Sequence, residues 1–153
     1  MTRESDGDAD AALWGALSRF ASAVIERHRN AMILVLSTAP RETESAIGAA
    51  QQAGVDNNFI PAFLGRAAIS TLTVAFIPLS VDPPSAMQYA TAVSALRSAL
   101  PEDSSAVVSQ CPTEAKRHFD VWGTSRTDFG SMRAVKRTLD PKGILNRARF
   151  LVD

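Results

Sequence analysis

Two short apolar runs constrain this chain more than any other feature: AMILVLS from Ala31 to Ser37 and, within Ser70 to Ile77, TLTVAFI. The first is continuous and too short for a helix, which suits a strand buried on both faces. The second alternates, with Leu72, Val74 and Phe76 on one side and Thr71, Thr73 and Ala75 on the other. Two more polar segments accompany them. Asn57 to Arg66 carries Pro61 and Gly65, which a strand tolerates at a sheet edge. Ser104 to Gln110 is also polar enough for an edge. Helical segments separate the members of each pair, so Ala31 to Gln110 reads strand, helix, strand, strand, helix, strand. That order predicts an α+β fold of the ferredoxin-like, split βαβ plan. The sheet is expected to be antiparallel, in the order Asn57–Arg66, Ser70–Ile77, Ala31–Ser37, Ser104–Gln110.

The first of those helices is expected from Pro40 to Ala53, with Pro40 in its first turn and Gly54 as its C-terminal cap. Its buried side is small: Ala46, Ile47 and Ala50. The second is expected from Asp82, as N-cap, to Leu100, with Pro83 in the first turn. Outside this unit, Leu13, Trp14, Leu17, Phe20, Val24 and Ile25 recur at helical spacing and predict one helix from Ala9 to Arg29. Residues 1–8 read as a disordered acidic lead-in, and 9–153 as one domain. Cys111-Pro112 is expected to open a further helical region broken at Gly123, and a last helix spans Asp128 to Leu139. Both helices of the split βαβ unit pack on one face of the sheet. The Leu13–Ile25 helix, the C-terminal helices or a partner domain must cover the other.

At 153 residues and 46% apolar content the chain can bury a real core. Its longest apolar run, Ala31 to Leu36, is too short to cross a bilayer, so no transmembrane segment is expected. The polar N-terminus does not read as a secretory signal, and a cytoplasmic location is the default expectation. A lone cysteine, Cys111, excludes an internal disulfide and a thiolate metal cluster. It reads as a small buried residue at a strand end. Nine of the sixteen basic residues lie between Lys116 and Arg149, a patch suited to an anion or a partner. Zero net charge and the lack of interleaved aromatics argue against nucleic acid as that partner.

The stretch Phe119 to Phe150 carries a more specific signal. Val121, Trp122 and Gly123 form a VWG segment. Met132, Arg133, Lys136, Leu139, Asp140, Pro141, Gly143, Leu145, Asn146, Arg149 and Phe150 then match the pattern MRxxKxxLDPxGxLNPGRF. The departure is Arg147-Ala148, where the pattern has Pro-Gly. This stretch resembles the C-terminal signature of FAD-linked oxidases of the vanillyl-alcohol-oxidase class, most closely the FAD-binding subunits of bacterial glycolate oxidases. The resemblance implies the C-terminal, substrate-side (cap) domain of an FAD-dependent 2-hydroxyacid oxidoreductase, not active alone. It implies FAD bound together with a separate flavin-binding domain or subunit, a small 2-hydroxyacid substrate, and further subunits that include an iron-sulfur subunit. In such enzymes the flavin takes a hydride from the hydroxyl-bearing carbon, while the protein orients the substrate and excludes water.

The chain itself has eight glycines, none in a G-x-G-x-x-G or P-loop arrangement, so no pyrophosphate cradle is encoded in it. The resemblance makes Asn146, Arg149 and Trp122 the cofactor-contacting candidates. An asparagine can donate and accept at a flavin edge, and an arginine can pair with a carboxylate or phosphate. His28 reads as a surface residue at a helix end, His118 lies near the basic tail, and neither is expected to be catalytic. FLGRAAIS, from Phe63 to Ser70, has no histidine or carboxylate, so no metal site is expected there. No catalytic residue is assignable. Lys136 and Asp140 are expected to form a surface i,i+4 bridge, and the segment from Asp140 onward to be loosely anchored. The alternative reading is a stand-alone ferredoxin-like module that binds a ligand or dimerises through its open sheet face.

Overall fold

The computed structural model of the chain describes residues 7–66, 70–123 and 128–146. Its centre is a four-stranded antiparallel sheet built from β1 (Met32–Ser37), β2 (Phe59–Arg66), β3 (Thr71–Pro78) and β4 (Ser105–Gln110), in the order β2-β3-β1-β4. This is the expected strand order. The two most apolar segments are central because only a central strand has both edges hydrogen-bonded and both faces available for burial.

The core lies between the sheet and two helices, α3 (Thr43–Asp56) and α4 (Ala86–Ala99). Met32, Leu34 and Leu36 of β1, Leu72, Val74 and Phe76 of β3, and Ala106 and Val108 of β4 face Ala46, Ala50 and Ala53 of α3 and Tyr89, Ala92, Val93 and Leu96 of α4. The alanine face lets α3 approach closely. Gly54 belongs to that contact and does not cap the helix: a Cβ there would sit 3.2 Å from the Phe76 ring and 3.3 Å from Pro61. The helix continues to Asp56, and Asn58, at φ +61°, takes the left-handed conformation expected of Gly54. Ile47 is half-buried and packs against the same cluster. A separate 3-10 turn, Pro40–Glu42, precedes α3.

The start of α4 also differs from expectation. Ser85, not Asp82, is the N-cap, and its hydroxyl accepts the Gln88 N–H at 3.2 Å. Pro84 disfavours helical backbone at Pro83, so the helix cannot begin there. The single N-terminal helix is instead two, α1 (Gly7–Ser18) and α2 (Phe20–Arg27). Ser18 Oγ donates to the Gly15 carbonyl at 3.0 Å and Arg19 N–H bonds to Ala16, which tightens and breaks the helix at Arg19. Gly7 and Asp8, expected in the lead-in, form the first turn of α1. Residues 1–6 lie outside the described residues.

Pro61 explains why β2 tolerates an outer position. The Leu79 N–H donates to the Asn58 carbonyl at 3.0 Å, which sets the phase of the β2–β3 ladder. Ile60, Ala62 and Leu64 then direct their backbone groups at β3, and the N–H that Pro61 lacks would have faced outward. On the sheet face opposite α3 and α4, Ile33 and Ala75 are fully buried and α2 packs against β3. Around them Val35, Leu64 and Val107 are half-buried and Ile60 is exposed. Among the described residues no helix is long and apolar enough to cross a membrane.

Candidate functional site

The signature stretch forms two local structures. The first is the segment Asp120–Gly123, laid along the outer edge of β4. Its anchor is the Val121 carbonyl, which accepts the Val108 N–H at 2.8 Å as a neighbouring strand would. The Asp120 carboxylate accepts the Trp122 N–H at 2.8 Å. Gly123 turns the chain at φ +99°, a conformation that favours glycine. Arg97 of α4 reaches the same segment. It donates to the Asp120 carbonyl at 2.7 Å, to Val121 at 3.2 Å and twice to Ala106 of β4, at 3.0 and 3.2 Å. Burial lowers its pKa, and the nearby Asp120 charge acts in the opposite direction. Trp122 is half-buried here, beside a cavity of about 60 Å³ that Arg97, Ala106 and Gly123 also line.

No helical region follows Cys111-Pro112. The chain makes one 3-10 turn, Ala115–Arg117, which buries Ala115, and then runs as the edge segment just described. The hydrogen bond from Val108 and the clamp from Arg97 hold 120–121 against β4 and leave no room for a helix. Cys111 is half-buried against the core, and burial pushes its thiol pKa up, opposed by the Lys116 charge.

The second structure is α5 (Phe129–Leu139) with the turn that follows it. Phe129, Met132, Val135 and Leu139 form an apolar stripe at helical spacing, yet Phe129 is the one buried residue of α5. Met132, Val135 and Leu139 are 40%, 58% and 75% exposed, and Ile144 and Leu145 beyond the helix are exposed with them. The turn is nevertheless tightly built. The Asp140 carboxylate accepts the N–H groups of Ile144 and Leu145 and the Lys136 ammonium, each at 3.0 Å. Lys136 also donates to the Leu145 carbonyl at 3.0 Å. Burial acts to raise the Asp140 pKa, but the bonds from Lys136, Leu145 and Ile144 and the Lys136 charge outweigh it, and the carboxyl lies below its ordinary value.

Lys136–Asp140 is therefore no surface bridge, because the Asp140 side chain is buried. The segment up to Asn146 is stapled to its own helix, although Ile144 and Leu145 stay exposed. Gly143 at φ +60° and Asn146 at φ +47° supply its two left-handed positions. Asn146 is exposed on the rim of a groove of about 450 Å³ whose walls include Met132, Val135 and Leu145.

The candidate residues thus fall in two places. Trp122 and Asn146 line cavities with no residue in common, and Arg149 and the Arg147-Ala148 departure lie outside the described residues. His28 caps α2 and is exposed, and His118 is exposed on the rim of a groove along α4. Among the described residues no three His, Cys, Asp or Glu side chains gather as metal ligands. Sequence reasoning missed Arg97. Its one signal was that it is the only charged residue of α4, AMQYATAVSALRSA.

Side chains stand close to two of the glycines: a Cβ at Gly54 would meet the Phe76 ring at 3.2 Å, and one at Gly65 would meet Leu72 at 3.1 Å. No protein-family profile, curated protein or solved structure matches this chain.

Proposed function

We propose that this chain is the substrate-side (cap) domain of an FAD-dependent 2-hydroxyacid oxidoreductase of glycolate-oxidase type, and that it works only against a flavin-binding domain or subunit. The observation that carries the reading is the apolar face of α5 and its turn, which stays exposed among the described residues. Met132, Val135, Leu139, Ile144 and Leu145 stay exposed, although Asp140 and Lys136 hold the backbone of the turn at Ile144 and Leu145 in place. A chain that invests a buried carboxylate in shaping an apolar surface, and then buries little of it, has a surface built for a partner. Met132, Leu139 and Leu145 of this face, with Lys136 and Asp140, also carry the FAD-linked oxidase resemblance.

In this reading the flavin belongs to the partner, and Asn146, Trp122 and Arg149 approach it from the cap side. Asn146 offers both donor and acceptor from an exposed position. The bond-breaking chemistry is the cofactor's, so no residue of this chain is assigned a step in it. An iron-sulfur subunit and a cytoplasmic setting belong to the same proposal. The test is spectroscopic. The purified chain is expected to be colourless and to retain no FAD on gel filtration. Glycolate-dependent bleaching of flavin absorbance is expected to depend on this chain when a flavin-binding subunit is supplied. Flavin retained by the chain alone would overturn the reading.

The second reading, a stand-alone module that dimerises through its sheet, draws on the half-covered face at Ile60, Leu64, Val35 and Val107. A light-scattering mass distinguishes the two: this reading expects a dimer that Ile60→Asp disperses, whereas the cap-domain reading expects no effect of that change on assembly with flavin protein.

A further inference from the structure

Arg97 is the only charged side chain of α4, and it reaches half-buried to the outer edge of β4. Its guanidinium makes four hydrogen bonds to three carbonyls on two separate segments: Ala106 within β4, and Asp120 and Val121 beside it. Trp122 follows directly. Its own N–H is taken by the Asp120 carboxylate, and the chain then turns at Gly123, where a Cβ would lie 3.5 Å from the guanidinium carbon. The backbone leading into the indole is therefore fastened, and most of the fastening converges on one side chain.

We infer that Arg97 is the positioning residue for Trp122: it clamps Asp120–Gly123 to the edge of β4 and presents the indole in one fixed pose to the flavin-bearing partner. This rests on the functional reading above. Lysine cannot replace it. An ammonium is a single point of donors, whereas the planar fork spans carbonyls on two segments at once.

The test uses the full chain with Trp14→Phe, which leaves Trp122 as the only tryptophan of two. Arg97→Lys, Arg97→Gln and Gly123→Ala are placed in that background. Gly123→Ala disturbs the segment at its left-handed turn while leaving Arg97 and the rest of α4 unchanged in sequence, so it serves if an Arg97 variant fails to fold. All three are expected to red-shift Trp122 emission and to speed amide exchange at Val108 and Trp122 by about tenfold or more. They are also expected to weaken binding of a separately supplied, FAD-loaded flavin-binding subunit by about tenfold. A folded Arg97→Lys chain with wild-type emission and exchange would overturn the clamp. Altered emission with unchanged binding would overturn the docking role of Trp122's pose. If the parent chain binds no flavin subunit at all, the functional reading fails and the docking role with it, while emission and exchange still decide the clamp alone.

Discussion

Tyr89→Phe removes one oxygen from a well-defined place. Tyr89 is 2% exposed, its ring lies 5.4 Å from that of Phe59, and its hydroxyl donates to the Asn30 carbonyl at 2.6 Å. That bond ties α4 to the junction between α2 and β1. The phenylalanine variant keeps the packing and loses the bond. Because Asn30 is exposed and its carbonyl can turn to water, the loss is expected to be about 1 kcal/mol. That corresponds to roughly 2–4 °C in Tm for a domain of this size. Tyr89→Ala loses the ring as well and should cost about 3–5 kcal/mol. The same group predicts a pH dependence. Burial, with a smaller contribution from Cys111, pushes the Tyr89 pKa from 10.0 up to about 12. The folded state then holds the proton after the unfolded chain has released it. Stability from this source is full below pH 10.0 and falls as pH rises toward about 12. The wild-type advantage over Tyr89→Phe, measured by urea unfolding, should therefore shrink across that window. Tyr89 is the only tyrosine, so tyrosinate absorbance titrates it directly. An ordinary titration, or a gap independent of pH, would refute the reasoning.

Asp140→Ala should release the Ile144 and Leu145 amides to fast exchange while the sheet amides stay protected. Acid should do the same in the unmodified chain: the carboxyl pKa is lowered by folding, so its contribution is full above the ordinary aspartate value of about 3.9 and is lost as pH falls through the folded value. Two glycines of α3 should respond oppositely to alanine. Gly48 has open space around it, and Gly48→Ala should stabilise by up to about 1 kcal/mol through helix propensity. Gly54→Ala gains the same propensity but presses on Phe76 and Pro61, at about 1–3 kcal/mol, and should be neutral to destabilising by thermal melts.

The sheet was legible because burial and period agree there. AMILVLS and TLTVAFI had to be central, and Pro61 had to be outside. The helix ends were less legible because their deciding contacts are tertiary or very local. Gly54 carries the letter of a cap, but only the approach of α3 to Phe76 shows why it is glycine. Asp82-Pro83 has the look of a helix start, yet Pro84 and Ser85 together move it. At the candidate site, the motif marked Trp122 and Asn146 without showing that separate cavities hold them. Asp140 looked like half of a surface pair, because spacing along a helix does not reveal that the chain beyond will fold back over it. Arg97 left only the trace of a single charge on a neutral helix.

The central claim is that the exposed face of α5 and its turn docks a flavin-bearing partner. The direct test is binding of this chain to an FAD-loaded flavin-binding subunit of glycolate-oxidase type, read by co-elution of flavin absorbance, with Val135→Asp as the probe of the face. Val135 is 58% exposed, so the substitution should leave the fold and its melting temperature unchanged. The account predicts a yellow one-to-one complex with the unmodified chain and none with Val135→Asp. A complex that survives Val135→Asp, or flavin that stays on the chain with no partner present, would contradict it.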